Sequence, residues 1–198
     1  MNVQGEASVH NINGKKQYRG EFYLPEGEKY ESLKLRGKLN FEKLECEHKI
    51  SIEGELKGTT LKAPKVKIVG SANLSRLEAD QLKIAFSNKS CYDSIFAKDA
   101  VVCPQKENQE FRNEVVAVIE HILKTKLPQQ MAKGTTEIDI KFLAGETIDI
   151  DSCNVDKIIC KDAIIRGSCN IGVLVHENNV KVDNNVHIEE DRVEKYSL

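Results

Sequence analysis

Tryptophan is absent from this 198-residue chain, aromatic residues make up only 6%, and there are 4 prolines and 2 methionines. So few rings disfavour a surface on which bases stack. No apolar run approaches the roughly 20 residues that cross a bilayer as a helix. Neither sign of charge dominates: 29 basic residues against 31 acidic leave a formal net charge of −2. No global field therefore draws in nucleic acid or an acidic membrane. There are 6 cysteines, with no C-x-x-C spacing among them and no recognisable signal peptide. They are expected to be reduced thiols of a soluble cytoplasmic protein rather than a disulfide framework.

Motifs for chemistry are missing too. There is no H-E-x-x-H, P-loop, G-x-G-x-x-G or G-x-S-x-G. The expectation is no catalytic residue, no cofactor and no metal. His176 and His187 could meet on neighbouring strands as a metal pair, but a solvated surface pair is the favoured reading. Cys46, Cys160 and Cys169 occupy inferred inward positions, where a thiol packs as a small hydrophobe.

What is present is repetition. "LKLRGKL" starts at Leu33, "ISIEGEL" at Ile50 and "VKIVGSA" at Val66, each with glycine fifth. The glycines recur at shifts of 54 − 37 = 17 and 70 − 54 = 16. Apolar and polar residues alternate within each unit, the period of a strand with one buried face. Leu33, Leu35, Leu39 and Phe41 face one way, and Lys34, Arg36, Lys38 and Asn40 the other. The change of phase between Phe41 and Leu44 marks a corner. Helix-pair repeats need about 33 residues, twice this unit. A parallel β-helix fits: each unit is one coil, and Leu35, Ile52, Ile68 and Ile84 stack in an interior column.

The same pattern, at a shift of 17, matches Tyr18, Gly20, Phe22 and Leu24, so the coils begin near residue 16 after a polar arm, 1–15. After Ile84, Phe86 replaces the marker glycine. Two extra residues are then needed before Ile95 and Ala97 match Leu77 and Ala79, which predicts a bulge or wide corner. Pro104 ends this first run of coils, 16–104. Residues 105–134 carry a helical period, with Phe111, Val115, Val118, Ile119 and Ile122 as an apolar stripe. The stripe is read as packing on the solenoid flank, with Phe111, Val115, Ile119 and Ile122 as candidate partner contacts if it docks elsewhere. Strands resume over 135–190, where Ile148, Ile165 and Val182 recur at a constant shift of 17. Gly167, Cys169 and Ile171 repeat the glycine pattern, and 191–198 form a short charged tail. The fold expected is all-β, with one inserted amphipathic α-helix.

Outward positions pair Arg36 with Glu53 and Lys38 with Glu55 on adjacent strands. Lys34, Lys67 and Lys83 form a stripe. A solvated face with register-setting pairs is favoured over an acidic-lipid or nucleic-acid site. Peripheral membrane contact stays open.

The coils from Lys29 to Ile84, "KYESLKLRGKL…QLKI", and from Ala144, "AGETIDIDSCNVDKIICKDAIIRGSCNIGVLVHENNVKV", resemble those of bactofilins. These are polymer-forming bacterial cytoskeletal proteins, and the second stretch is similar to the longer Gram-positive members. The resemblance covers roughly residues 29–103 and 136–188. It implies a right-handed β-helix that polymerises end to end without nucleotide, as a scaffold for cell shape, polar organisation or motility. It also implies other bactofilins or cell-envelope and motility proteins as partners. The helical insertion departs from the compact family pattern. A solenoid leaves both ends open, so Val180, Val182, Val186 and Ile188 at one end, and Tyr18, Phe22 and Leu24 at the other, are the expected polymerisation interface. Two other classes stay in view. One is a non-polymerising β-helix that recruits a partner through its helix. The other is a β-helix enzyme acting on carbohydrate or acyl substrates through carboxylates in a lateral groove. The hexapeptide pattern of left-handed acyltransferases appears only briefly, at Ile165 and Ile171, and the first half drifts off it.

Overall fold

The computed structural model describes residues 10–12, 15–24, 29–105 and 137–196. Their strands are β1 (His10–Ile12), β2 (Lys15–Leu24), β3 (Lys29–Lys62), β4 (Lys65–Phe86), β5 (Ser90–Pro104), β6 (Ile138–Asp151), β7 (Asn154–Arg166), β8 (Asn170–His176), β9 (Val180–Val182) and β10 (His187–Val193). From β2 onward each pairing is parallel, in the order β2-β3-β4-β5-β6-β7-β8-β10, with β9 beside β7. The result is a parallel β-solenoid of about 8 turns. Among the described residues only β1 runs antiparallel, against Lys15–Gln17 of β2.

The alternation seen in the sequence decides which side chains enter. In β4, Val66 and Ile68 are buried while Lys65 and Lys67 are exposed. Inside one coil the alternation slips three times: between Leu74 and Leu77, between Ala79 and Leu82, and between Phe86 and Ser90. These slips are corners, and they give the coil three sides. Leu35, Ile52, Ile68, Ile84, Val102, Ile150 and Ile165 are all buried, each 1% exposed or less. Full burial of each contributes about 1.5–3 kcal/mol relative to exposure. Neighbouring volumes compensate: Gly58 lies under Phe41, whose ring occupies the space a Cβ would take. Tyr92 shares a column with Leu74 and Ile140. Its hydroxyl is buried with no hydrogen-bond partner among the described residues.

The repeated glycine has a steric cause. Gly20, Gly37, Gly54 and Gly70 have φ of +117°, +125°, +136° and +126°. They stack so closely that a Cβ on each later one would strike the carbonyl of the glycine before it. An L-residue is excluded by conformation and by space. Ser87 N–H donates to the Gly70 carbonyl at 3.1 Å, which sets the fully buried Phe86 beside Gly70, at the end of this column.

The expected wide corner follows Phe86. Leu77 pairs with Ile95 and Ala79 with Ala97, an offset of 18. The buried Ser90 Oγ accepts from Ala72 N–H at 3.1 Å and donates to the Asn88 carbonyl at 3.2 Å. A side chain thus satisfies a ladder group where the backbone swings wide.

The insertion leaves and re-enters at this same corner. Gln105 N–H donates to the Phe86 carbonyl at 2.7 Å, and Ser90 N–H donates to the Glu137 carbonyl at 2.9 Å. β5 then pairs with β6 as any coil pairs with the next. Beyond Gln105, the helix expected over 105–134 lies outside the described residues, as do Phe111, Val115, Ile119 and Ile122.

The register of the second half corrects one expectation. Ile165 pairs with Val182, but its partner on β6 is Ile150, while Ile148 pairs with Ala163. The shift from Ile150 to Ile165 is 165 − 150 = 15, not 17. The corner of this coil is tighter because only Ser152 and Cys153 lie between Asp151 and Asn154, whereas Gly167, Ser168 and Cys169 fill the same corner one coil later; both corners turn in the left-handed region, at Ser152 (φ +56°) and Gly167 (φ +64°). Gly167 therefore holds the marker position with a different backbone from Gly37. No helix among the described residues is long and apolar enough to cross a membrane.

Candidate functional site

Because the interior is filled by aliphatic columns, the surfaces available for function are the two ends and the flanks. At the carboxyl end the last coil is built from β9 and β10. Val180 and Val182 continue the columns of Ala163 and Ile165, and Ile188 continues that of Ile171. Val180, Val186 and Ile188 pack against the core but are only partly buried, and Val182 is 45% exposed. His176, at the end of β8, is buried beneath this coil. Its Nδ1 lies 3.0 Å from the Asn178 carbonyl and its Nε2 3.3 Å from Asp191 Oδ1. Its strand partner is Val193, whereas His187 pairs with Asn170. The two histidines are therefore not brought together, and no group of three or more metal-ligating side chains occurs among the described residues.

At the amino end Tyr18, Phe22 and Leu24 are in register with Leu35, Leu39 and Phe41. Leu24 lies in the core at 3% exposure, beneath the surface, while Tyr23 next to it is 48% exposed. The side chains of Tyr18 and Phe22 fall outside the described residues. β1 covers β2 only from Lys15 to Gln17.

The flanks carry the charges. The ladders expected outside are present, Arg36–Glu53 at 2.7 Å and Lys38–Glu55 at 3.1 Å. Both are more than half exposed, so each contributes little to stability and more to register. The lysine stripe is broader than expected. Lys49 and Lys65 join Lys67 and Lys83 around a shallow depression of about 280 Å³.

A larger groove of about 790 Å³ runs along the third side. Its floor is made of small residues, Cys46, Ala63, Ala79 and Ala97. Tyr30 lines it on an early coil, and Tyr196 lines it after the chain returns from β10. Lys161 Nζ sits 5.4 Å from the centre of the Tyr196 ring. On the wall, Glu78 binds Lys62 at 2.8 Å and Arg76 at 2.6 Å, and Arg76 lies 4.6 Å over the Phe96 ring. The hydrogen bonds from Lys62 and Arg76 hold the Glu78 carboxyl below its ordinary range. An acid catalyst would need the opposite shift. Interleaved cations and carboxylates on an apolar floor suit recognition of a chain of mixed charge.

The chain matches no family model, no curated protein and no solved structure. The inward cysteines are where the sequence placed them: Cys46, Cys160 and Cys169 are buried. Burial pushes the thiols of Cys46 and Cys160 up to about 12, which makes them inert. Sequence reasoning passed over Cys153, although its separation from Cys169, 169 − 153 = 16, is the coil spacing itself.

Proposed function

We propose that this protein is a bactofilin-like cytoskeletal scaffold. It associates through its ends, with no nucleotide, metal or catalytic group, in the cytoplasm. The winding is right-handed, as the resemblance implies. One observation carries the reading: both ends of the solenoid offer strand edges that continue its own geometry. On its outer side β10 has no strand partner among the described residues, and β2 has one only at Lys15–Gln17. Partly exposed Val180, Val182, Val186 and Ile188 lie beside the free carboxyl edge. An open edge beside apolar side chains is a template for another chain, and a contact between unlike ends repeats without closing. Other bactofilins and envelope or motility proteins are the partners this reading expects. The purified chain should form filaments or large species visible by electron microscopy in buffer alone. A chain that stays monomeric at high concentration overturns the proposal.

The lateral groove favours a second reading, in which the solenoid is a binding module for an extended partner. Here the protein stays monomeric, and Ala79→Trp, which fills the floor, abolishes capture of that partner without changing the fold.

A further inference from the structure

Cys153 and Cys169 occupy the same inward position on consecutive coils. Their neighbours Asn154 and Asn170 are register partners, and Asn170 N–H donates to the Cys153 carbonyl at 3.0 Å. Strands paired in this way stand about 4.8 Å apart. That separation lies inside the Cα range of roughly 4.4–6.8 Å that a disulfide spans. The two residues already interact. Cys153 N–H donates to Cys169 Sγ at 3.3 Å. The Cys153 thiol lies 3.2 Å from the Asp151 carbonyl, and the Cys169 thiol 3.0 Å from the Arg166 carbonyl. We propose that this pair is a redox site at which a hydroperoxide closes a disulfide between two consecutive coils.

The surroundings assign the roles. The Cys153 thiol, together with the backbone N–H groups of Cys153 and Ser152, donates to Cys169 and holds it below the usual thiol range. The same contact, with burial, pushes Cys153 up. Cys169, whose sulfur accepts the Cys153 N–H at 3.3 Å, is the nucleophile and Cys153 the resolving thiol. The Cys169 thiolate attacks one oxygen of hydrogen peroxide; the O–O bond breaks and hydroxide leaves, giving a sulfenic acid. The Cys153 sulfur then attacks the Cys169 sulfur; the S–O bond breaks, and the hydroxyl leaves as water with the Cys153 proton. Two thiols lose two electrons, and the peroxide is reduced to two waters.

Position in the solenoid governs access. Cys153 is 1% exposed and Cys169 0%, so neither reacts in the closed state. The final coil covers Cys169: His187 N–H donates to the Cys169 carbonyl at 2.8 Å. Val186 beside it is only partly buried. Terminal coils open more readily than inner ones, because each is held from one side only. Opening of this coil admits a molecule as small as a peroxide.

The test uses the full chain, reduced and then treated with hydrogen peroxide. Free thiols are alkylated in denaturant, and peptides are mapped without reduction. The peptides containing Cys153 and Cys169 should appear as one linked species, two hydrogens lighter than their sum and released by dithiothreitol. In Cys153→Ser, dimedone should trap a sulfenic acid on Cys169. Full alkylation of both cysteines, at a peroxide dose that oxidises the less buried Cys91 and Cys103, overturns the site. So does a link from either cysteine to any other, or dimedone labelling of Cys153 in Cys169→Ser with none of Cys169 in Cys153→Ser.

Discussion

Asp191 lies in register with Leu174 on the neighbouring strand, so the column Leu77, Ile95, Leu143, Ile158 and Leu174 ends on a carboxylate. A charge at an inward position of the last coil is one way natural sheets limit edge association. Asp191→Leu should therefore promote assembly. A leucine buried at a new contact contributes up to about 1.5–3 kcal/mol, or roughly 10- to 100-fold in the association constant. Sedimentation velocity at fixed concentration reads this directly. An unchanged distribution would mean that this end does not control association.

The converse substitutions lie nearby. Val186 and Ile188 pack on the core from the terminal coil and are only half-buried. Val186→Asp or Ile188→Asp should dissolve large assemblies while circular dichroism stays that of the wild type. Assemblies that survive both changes would place the interface elsewhere.

The interior answers differently. Ile68 and Ile165 are both 0% exposed, and Lys67 beside the first is exposed. Ile68→Asp or Ile165→Asp buries a carboxylate with no partner, at a cost of several kcal/mol. Lys67→Asp should change the melting temperature little. Equal thermal stability of all three would contradict the register.

The insertion can be shortened. Gln105 and Glu137 sit at one corner, each hydrogen-bonded to a strand neighbour. The preceding coil turns this corner with Ser87, Asn88 and Lys89 alone. Replacing residues 106–136 with a loop of that kind should leave a β protein with a single cooperative transition, since closure cost varies slowly with loop length. Two separate transitions would mark a domain boundary here.

Acid should weaken the groove wall. Glu78 ionises more easily in the folded chain than the ordinary value of 4.5. Its contribution is present above that value and is lost as pH falls through the lower, folded one. Glu78→Gln should melt below wild type at neutral pH, by less than about 1 kcal/mol for a pair this open to water. The gap should close below pH 4.5. A gap that persists in acid would assign the loss to packing.

The coils were legible because burial inside a solenoid imposes a period of two and a repeat of one circumference. Leu35, Ile52, Ile68 and Ile84 could be placed from those rules alone. The slip at Ile148 could not, because corners of the same solenoid hold different numbers of residues, two between Asp151 and Asn154 and three between Arg166 and Asn170. The lateral groove was hidden for another reason. Cys46, Ala63, Ala79 and Ala97 look like ordinary small core residues until their column is seen to reach the surface. Asp191 was legible only as part of a charged tail; register makes it the end of a column.

The stacked glycines Gly20, Gly37, Gly54 and Gly70 give the chain a modular length. Each carbonyl lies where a side chain of the next coil would stand, so a segment can be removed or duplicated there only as a whole turn. One turn adds about 4.8 Å to the axis, and about 8 turns make a rod roughly 38 Å long. Distance along this protein is counted in whole turns, from Gly20 to Gly37 to Gly54 to Gly70, as on a ruler whose divisions are fixed by the absence of a methyl group.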